Sequence, residues 1–185
     1  MPGTILKEMR FPGGGLFQAV IYDLLDEPTD GIVNAANGGL SHGGGVAAAI
    51  ASAAGAALEE EGDRIVAERG RIPVGGAVLT TAGNLPFKGV IHAVGPRLGD
   101  GDEGRKLEQA LISAFLLAHG KGWASLSFPA VSSGIFAVPF PVCAKAYVAA
   151  VARFFREHPD SSLKLIRLTL YKGPLVEEVV RVMDQ

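Results

Sequence analysis

The sequence predicts an α/β fold, a three-layer α/β/α sandwich with a central mixed sheet. Three observations lead to this prediction. Short apolar segments with strand character alternate with segments of helical periodicity, an order that places helices on both faces of a sheet. The 185 residues are 48% hydrophobic, which is enough for a substantial core. No internal repeat or low-complexity linker interrupts the chain, so residues 1–185 are predicted to form a single domain.

The first half of the chain is predicted to contain five strands and two helices. The strands are Thr4–Arg10, Leu16–Asp23, Gly31–Ala35, Gly75–Thr81 and Gly89–Val94, the helices are Val46–Glu60 and Gly62–Gly70, and Asp26–Asp30 is a loop. The first two strands flank the chain-breaking residues Phe11–Gly15 and should form an antiparallel pair at a sheet edge, where the charges of Lys7, Glu8 and Arg10 are tolerated. Gly55 is expected to weaken its helix only slightly.

The second half is predicted to contain three helices and two strands. Apolar residues at Leu107, Leu111, Phe115 and Ala118 have the spacing of an amphipathic helix over Arg105–His119. The other elements are the strands Ser125–Ala130 and Leu163–Leu170, the helices Cys143–Glu157 and Leu175–Met183, the acidic loop Leu98–Gly104 and a second glycine-containing loop, Val131–Pro139.

Composition narrows the functions that this domain can have. A formal net charge of −2 argues against a protein that binds nucleic acid by bulk charge, although it does not exclude a local basic patch. The one cysteine, Cys143, excludes an intramolecular disulfide and a cysteine-rich metal site, and it is expected to be a core residue. Met1–Arg10 lacks the apolar run of a signal peptide, and no apolar stretch reaches transmembrane length. We therefore expect a cytoplasmic protein without membrane association.

The stretch Gly31–Val46 carries the strongest functional signal. An apolar strand leads through two asparagines into Gly43, Gly44 and Gly45, and an alanine-rich helix follows. Glycines let the backbone turn and let a ligand approach closely, and the first N–H groups of a helix have no partner within the helix. This strand, loop and helix are therefore predicted to bind an anion.

A second loop, Ser132–Phe136, repeats this pattern of strand, small polar residues, glycine and helix. In open α/β sheets, ligands bind outside the carboxyl ends of the strands, where both loops should emerge. A pyrophosphate held between two sets of backbone N–H groups is the expected ligand.

Six motifs, in order along the chain, resemble those of the macro domains, a family of ADP-ribose-binding α/β/α modules. They are Tyr22-Asp23-Leu24, IVNAAN at Ile32–Asn37, HGGGVAAAI at His42–Ile50, GNLP at Gly83–Pro86, VIHAVGP at Val90–Pro96 and FPAVSSGIF at Phe128–Phe136. The resemblance covers nearly the whole chain and is greatest to the branch of archaeal and histone macro domains. The first motif departs from the family at Tyr22, where the family has glycine, and this change could narrow the adenine end of the site.

The resemblance implies a role for each matching residue. Asp23 would accept a hydrogen bond from the adenine 6-amino group, and Tyr171 would stack on the adenine. Asn37 would contact the distal ribose, on which Phe136 would pack, whereas Asn34 would hold its loop by side-chain to backbone bonds. The implied ligand-binding residues are Asp23, Leu24, Asn34, Asn37, Gly43, Gly44, Gly45, Val46, Ser132, Ser133, Gly134, Ile135, Phe136 and Tyr171.

Simpler structural roles compete with these assignments. Asp23 and the two asparagines are also typical turn or helix-capping residues, and Tyr171 and Phe136 are also typical core aromatics. We expect His42 and His92 to be structural, because a lone histidine is more often a satisfied structural residue than a catalyst.

Two hydrolase subclasses of the family use groups that this chain lacks. The acid and histidine of one subclass correspond to Ala47 and Ala51, and the lysine nucleophile of another has no counterpart in Ala47–Leu58. The resemblance therefore implies, first, binding of free ADP-ribose or ADP-ribosylated protein, without a cofactor or metal. Hydrolysis of ADP-ribosyl or O-acetyl-ADP-ribose esters, by a water that Asn37 and Gly44 position, is the alternative. The net charge argues against a third alternative, a nucleic-acid binder, and the oligomeric state stays open.

Overall fold

The structure is a computed structural model that describes residues 3–185, so Met1 and Pro2, with which the predicted domain begins, lie outside the described residues. These residues form a seven-stranded mixed sheet and five α-helices. The strands are β1 (Thr4–Arg10), β2 (Leu16–Ile21), β3 (Gly31–Ala36), β4 (Ala77–Thr80), β5 (Gly89–Val94), β6 (Ser125–Phe128) and β7 (Leu165–Leu170). The helices are α1 (Gly45–Ala54), α2 (Ala56–Arg69), α3 (Glu103–Gly120), α4 (Phe140–Glu157) and α5 (Pro174–Met183).

The sheet has the strand order β1-β2-β7-β6-β3-β5-β4. Strands β2, β7, β6, β3 and β5 run parallel to one another, whereas β1 and β4 run antiparallel to their neighbours at the two edges. The predicted antiparallel pair at one edge is therefore confirmed. Because the five inner strands are parallel, the loops that follow them emerge at one edge of the sheet.

Apolar side chains bury both faces of the sheet. Phe115 of α3 and Tyr147 of α4 contact Phe128 of β6 in the larger cluster, to which α5 also contributes. On the other face, Ile50 and Leu58 of α1 and α2 pack with Ile32 of β3. The sheet thus lies between two helical layers, which confirms the predicted three-layer α/β/α sandwich.

The helix predicted over Val46–Glu60 is wrong in its extent. Gly55 ends α1 with a φ of +84°, and α2 then runs unbroken over the segment in which a separate helix, Gly62–Gly70, was expected. The Gly55 N–H donates to the Ala51 carbonyl oxygen at 3.0 Å, while the Asn84 N–H donates to the Ala54 carbonyl oxygen at 2.8 Å. A left-handed glycine that frees a carbonyl for a neighbouring loop is a helix C-cap, so Gly55 terminates rather than weakens the helix.

Two boundaries near the site also differ from prediction. Strand β2 ends at Ile21 rather than Asp23, because Asp23 accepts a hydrogen bond from the Leu25 N–H at 3.0 Å and starts a short 3₁₀ helix, Leu24–Asp26, which ends at the first residue of the predicted loop Asp26–Asp30. Helix α4 begins at Phe140 rather than Cys143, since Pro141 has the backbone geometry of a first helical turn.

A buried ionic network underlies the sheet edge that carries the loops. The Arg167 Nε donates to Glu27 Oε1 at 3.0 Å, and both side chains are fully buried. The same carboxylate oxygen accepts hydrogen bonds from Ser127 Oγ at 3.0 Å and Thr169 Oγ1 at 2.7 Å. The network ties the segment after Asp23 to β6 and β7. Among residues 3–185, no helix is long and apolar enough to cross a membrane.

Candidate functional site

A cleft of about 250 Å³ lies at the carboxyl ends of β3, β6 and β7. Its walls come from the two glycine loops and its floor from the strand ends. The lining residues are Ala35, Ala36, Gly44, Gly45, Val46, Ala47, Pro129, Ala130, Val131, Ser132, Ser133, Gly134, Ile135, Phe136, Thr169, Leu170 and Tyr171. The two loops predicted to share one cleft therefore do so.

The first wall is the start of α1. Gly44 is the N-cap residue in an extended conformation, and Gly45 follows with a φ of +58°, a value that favours glycine. Because α1 begins at Gly45, the N–H groups of Val46 and Ala47 have no carbonyl within the helix to bind. They lie in the cleft wall and can donate to an anion.

The second wall is the loop that follows β6, whose two ends are fixed. Ser132, at a φ of +67°, donates from Oγ to the Pro96 carbonyl oxygen at 2.7 Å. The Tyr147 hydroxyl donates to the Val131 carbonyl oxygen at 2.6 Å, and the Val138 N–H donates to the Ser132 carbonyl oxygen at 3.0 Å. Between these anchors, the N–H groups of residues 134–136 donate to no backbone carbonyl of the described chain, so this wall offers a second set of donors.

The two walls come close to each other at one point. A Cβ atom placed on Gly44 would lie 3.6 Å from Ile135 Cδ1, an ordinary van der Waals distance, so the two loops approach each other at this point. Ile135 is 84% exposed and forms the outer side of this approach.

Asp23 and Tyr171 lie at one end of the cleft. Tyr171 directly follows β7, lines the cleft and is 67% exposed, so its ring is free to stack on a ligand. Partial burial, and then the negative charge of Asp23, raise the pKa of the Tyr171 hydroxyl. Asp23 is exposed and Leu24 is buried, and neither lines the cleft.

The two asparagines of the IVNAAN motif occupy different environments. Asn34 is fully buried outside the cleft, and its side-chain partner is the His92 Nδ1 at 3.0 Å rather than loop backbone. Asn37 binds Ser41 through both side-chain ends and thereby closes the turn that precedes the glycines. It lines a neighbouring cavity together with Phe136, whereas Gly43 lines neither cavity.

His92 is a buried, neutral histidine. It is 1% exposed, and its Nε2 lies 2.8 Å from Thr80 Oγ1, which itself donates to the Thr81 carbonyl oxygen. Burial, and then the nearby His42, lower the pKa of His92 to about 3. The ring nitrogens of His42 and the Asn34 Oδ1 are buried without a partner among the described residues. These contacts give His92 the structural role that the sequence predicts for it.

The free energy of unfolding is expected to fall in acid because of His92. Between the ordinary histidine pKa of about 6.5 and the folded value of about 3, the unfolded chain binds a proton that the folded chain does not. The stabilisation that comes from the neutral His92 is therefore fully present above pH 6.5. As the pH falls below that value, the free energy of unfolding decreases by up to about 1.4 kcal/mol per pH unit. Urea unfolding of the wild type and of His92→Gln from pH 4 to pH 7 measures this effect. Identical pH slopes for the two proteins would contradict it.

Cys143 is a core residue, as the sequence predicts. Burial raises the pKa of its thiol to about 11, so it is not a thiolate nucleophile at neutral pH. Its Sγ donates to the Val138 carbonyl oxygen at 3.5 Å and thus helps Tyr147 to hold the second loop. No group of three or more metal-ligating side chains occurs in residues 3–185.

Sequence reasoning missed several parts of the site. Thr169 and the Ala35–Ala36 pair line the cleft, and alternation along β7 could have indicated Thr169. Tyr147, the anchor of the second loop, had no signal of its own because it resembles any apolar residue of an amphipathic helix.

The chain belongs to the macro domain family. The family model of the macro domain matches residues 33–147, which include the first glycine loop and the whole of the second. This match confirms the resemblance found in the motifs.

Two proteins illustrate the similarity of this chain to sequence relatives. The chain is 44% identical over 138 residues to an O-acetyl-ADP-ribose deacetylase of Citrobacter koseri, an alignment that covers 74% of this chain and 78% of the relative. A Thermotoga maritima protein is 45% identical over 183 residues, but the chain spans only 30% of its length.

Solved structures of two macrodomains have the same fold. The Oceanobacillus iheyensis macrodomain with ADP has a TM-score of 0.87 at 27% identity and covers 96% of this chain and 95% of its own. The Trypanosoma brucei macrodomain in complex with ADP-ribose has a TM-score of 0.78 at 26% identity, with 90% of this chain and 68% of that chain covered.

Proposed function

We propose that this chain binds ADP-ribose, free or attached to protein, in the cleft between the two glycine loops. The observation that carries the proposal is the pair of facing walls with free backbone N–H groups, one at residues 45–47 and one at residues 134–136. A protein with a net charge of −2 can hold a diphosphate in this way without basic side chains, because the donors are amides. The solved macrodomains with ADP and ADP-ribose support the choice of ligand.

The direction of the ligand follows from the order of the strands. Asp23 and Tyr171 follow the neighbouring strands β2 and β7, so the adenine belongs at that end. The diphosphate belongs between the loops, and the distal ribose belongs near Asn37 and Phe136, beyond the end of β3. In this orientation the roles implied for Asp23, Asn37, Phe136 and Tyr171 are mutually consistent.

Calorimetric titration with ADP-ribose tests the proposal directly. We expect one saturable site per chain and weaker binding of AMP, which lacks the second phosphate and the distal ribose. Absence of saturable heat at about 1 mM ADP-ribose, a concentration that corresponds to roughly 4 kcal/mol of binding free energy, would overturn the proposal.

Asp23→Ala should weaken ADP-ribose binding by roughly 1.5–3 kcal/mol, because it removes a charged acceptor for the adenine 6-amino group. Inosine diphosphate ribose has a carbonyl at this position, so its affinity should not fall in the variant. Titration of both ligands against the wild type and Asp23→Ala measures the difference. Asp26→Ala is the matched control, since Asp26 is an exposed carboxylate in the same 3₁₀ helix. An equal loss for both ligands would mean that Asp23 does not select adenine.

Hydrolysis of ADP-ribosyl esters is the second candidate function. It is favoured by the 44% identity to the Citrobacter koseri enzyme. Water would cleave the ester into a free acid and the ADP-ribose hydroxyl, with the bound diphosphate, Asn37 and the Gly44 backbone positioning that water. Incubation with O-acetyl-ADP-ribose should then release acetate and ADP-ribose. A rate no higher than that of Gly44→Glu would exclude the activity and leave a binding module.

We also propose that the chain acts as one macro domain in the cytoplasm. Its single buried thiol, which forms no disulfide, suits a reducing compartment. Fluorescence microscopy of the tagged protein in its native cell tests the location.

A further inference from the structure

We propose that a second cavity, beside the ADP-ribose cleft, binds acidic residues of the peptide that carries the ADP-ribosyl group. This inference rests on the proposed function and names the class of macromolecule that the site prefers. The cavity has a volume of about 500 Å³ and shares Phe136 with the first cleft. Asn37, Arg71, Val74, Arg97 and Asp100 are among its other lining residues.

The position of this cavity makes it the place where a carrier chain leaves the site. The first cleft lies over the ends of β7, β6 and β3, and the second continues over the end of β5, the next strand in the sheet. With adenine at the β7 end, the distal ribose reaches Asn37 and Phe136, which line the second cavity. Whatever is attached to that ribose must then extend into or past the cavity.

Two guanidinium groups line the cavity, and neither Arg71 nor Arg97 takes part in an ion pair among the described residues. The one lining carboxylate, that of Asp100, already has a hydrogen-bond partner, because its Oδ2 accepts from the backbone N–H of Arg97 at 2.9 Å. The lining thus carries an excess of positive charge. An arginine without a carboxylate partner is suited to bind one, since its fork of N–H donors matches carboxylate geometry.

Glycines make room for the Arg71 side chain. A Cβ on Gly39 would lie 3.0 Å from the Arg71 Nη1, and one on Gly38 would lie 3.4 Å from Nη2. The Ile72 N–H also donates to the Gly38 carbonyl oxygen at 2.8 Å, which ties the arginine's segment to the turn after Asn37. Arg71 is therefore placed against the loop that would contact the distal ribose.

Arg97 is placed by an aromatic ring. Its guanidinium carbon lies 4.7 Å from the centroid of Phe136, and the Leu98 N–H donates to the Phe136 carbonyl oxygen at 2.8 Å. The stacked cation is held at the border of the two cavities.

A peptide fits this cavity better than a small anion does. The cavity is also lined by the apolar residues 72–74, of which Val74 is 43% exposed. A peptide can place its backbone and apolar atoms on these residues while its carboxylates reach the two guanidinium groups. A free phosphate would interact with the guanidinium groups only and would leave the apolar residues uncovered.

Binding of three ligands tests the inference: free ADP-ribose, a peptide with one ADP-ribosylated serine flanked by glutamates, and the same peptide with glutamines. The wild type should bind the glutamate peptide about three- to ten-fold more tightly than the glutamine peptide, as expected for exposed charge pairs. Arg71→Gln should remove most of that preference, measured as the ratio of the affinities of the two peptides for the same variant, so that any change in the affinity for the ADP-ribosyl group itself cancels. High salt should reduce the preference in the wild type.

The controls separate this inference from the proposed function. Arg156→Gln removes the same charge from an exposed position on α4, outside both cavities, and should keep the preference for glutamate. Equal affinity of the wild type for both peptides, with free ADP-ribose still bound, would overturn the inference alone. A preference that survives in both Arg71→Gln and Arg97→Gln would also overturn it. Failure of free ADP-ribose to bind would overturn the proposed function itself.

Discussion

Gly44→Glu is expected to abolish ADP-ribose binding without unfolding the protein. Gly44 has an extended backbone that any residue can adopt, and a Cβ there meets only Ile135 Cδ1, at 3.6 Å. The new carboxylate would occupy the space of the diphosphate and repel it. Loss of two or more charge-assisted hydrogen bonds, at roughly 1.5–3 kcal/mol each, corresponds to a loss of affinity of at least about 100-fold. Calorimetric titration measures the affinity, and thermal unfolding checks the fold.

Gly120→Glu is the matched control for this variant. Gly120 is the exposed last residue of α3, where an added Cβ meets no atom within 4 Å. It receives the same negative charge outside the cleft, so its affinity for ADP-ribose should equal that of the wild type. A folded Gly44→Glu that binds ADP-ribose normally would show that the diphosphate is bound elsewhere.

Glu27→Gln is expected to lower the free energy of unfolding by about 3–5 kcal/mol, the range for removal of one partner of a buried ion pair. Glu27 accepts hydrogen bonds from Arg167, Ser127 and Thr169, and the variant would remove the negative charge that pairs with the buried guanidinium. Urea unfolding at pH 7 measures the loss. Glu157→Gln, which breaks the exposed pair with Arg153, should cost less than about 1 kcal/mol.

The same variant also tests how the network supports the site. Glu27 directly follows the 3₁₀ helix that Asp23 caps, and Thr169 lines the cleft. We therefore expect Glu27→Gln to weaken ADP-ribose binding as well, at temperatures where the variant is fully folded. Wild-type stability in Glu27→Gln would show that the pair with Arg167 does not hold this part of the fold.

The fold was predictable because its signals are local. Strands such as Gly89–Val94 are short apolar runs between glycines, and the helix around Leu107–Ala118 has a clear apolar stripe, so element type follows from spacing. The glycines before α1 and in Ser132–Phe136 likewise indicate backbone donors, and the structure brings the two loops into one cleft.

What the sequence did not reveal depends on contacts between distant segments. Gly55 reads as an isolated helical glycine until Asn84 binds the carbonyl that it exposes. Glu27 and Arg167 are 140 residues apart, and neither position shows from spacing alone that it is buried. Arg71 follows α2 in the sequence and carries no signal of a functional role. Its position beside the candidate site becomes visible only in the structure, where its guanidinium group packs against Gly38 and Gly39.

The close approach of Gly44 and Ile135 has a consequence for the width of the cleft. Ile135 is 84% exposed, and the hydrogen bonds that anchor its loop are made by Ser132, Tyr147 and Val138 rather than by Ile135. The spacing of the two walls at this point therefore depends on a surface side chain that takes no part in holding the loop in place.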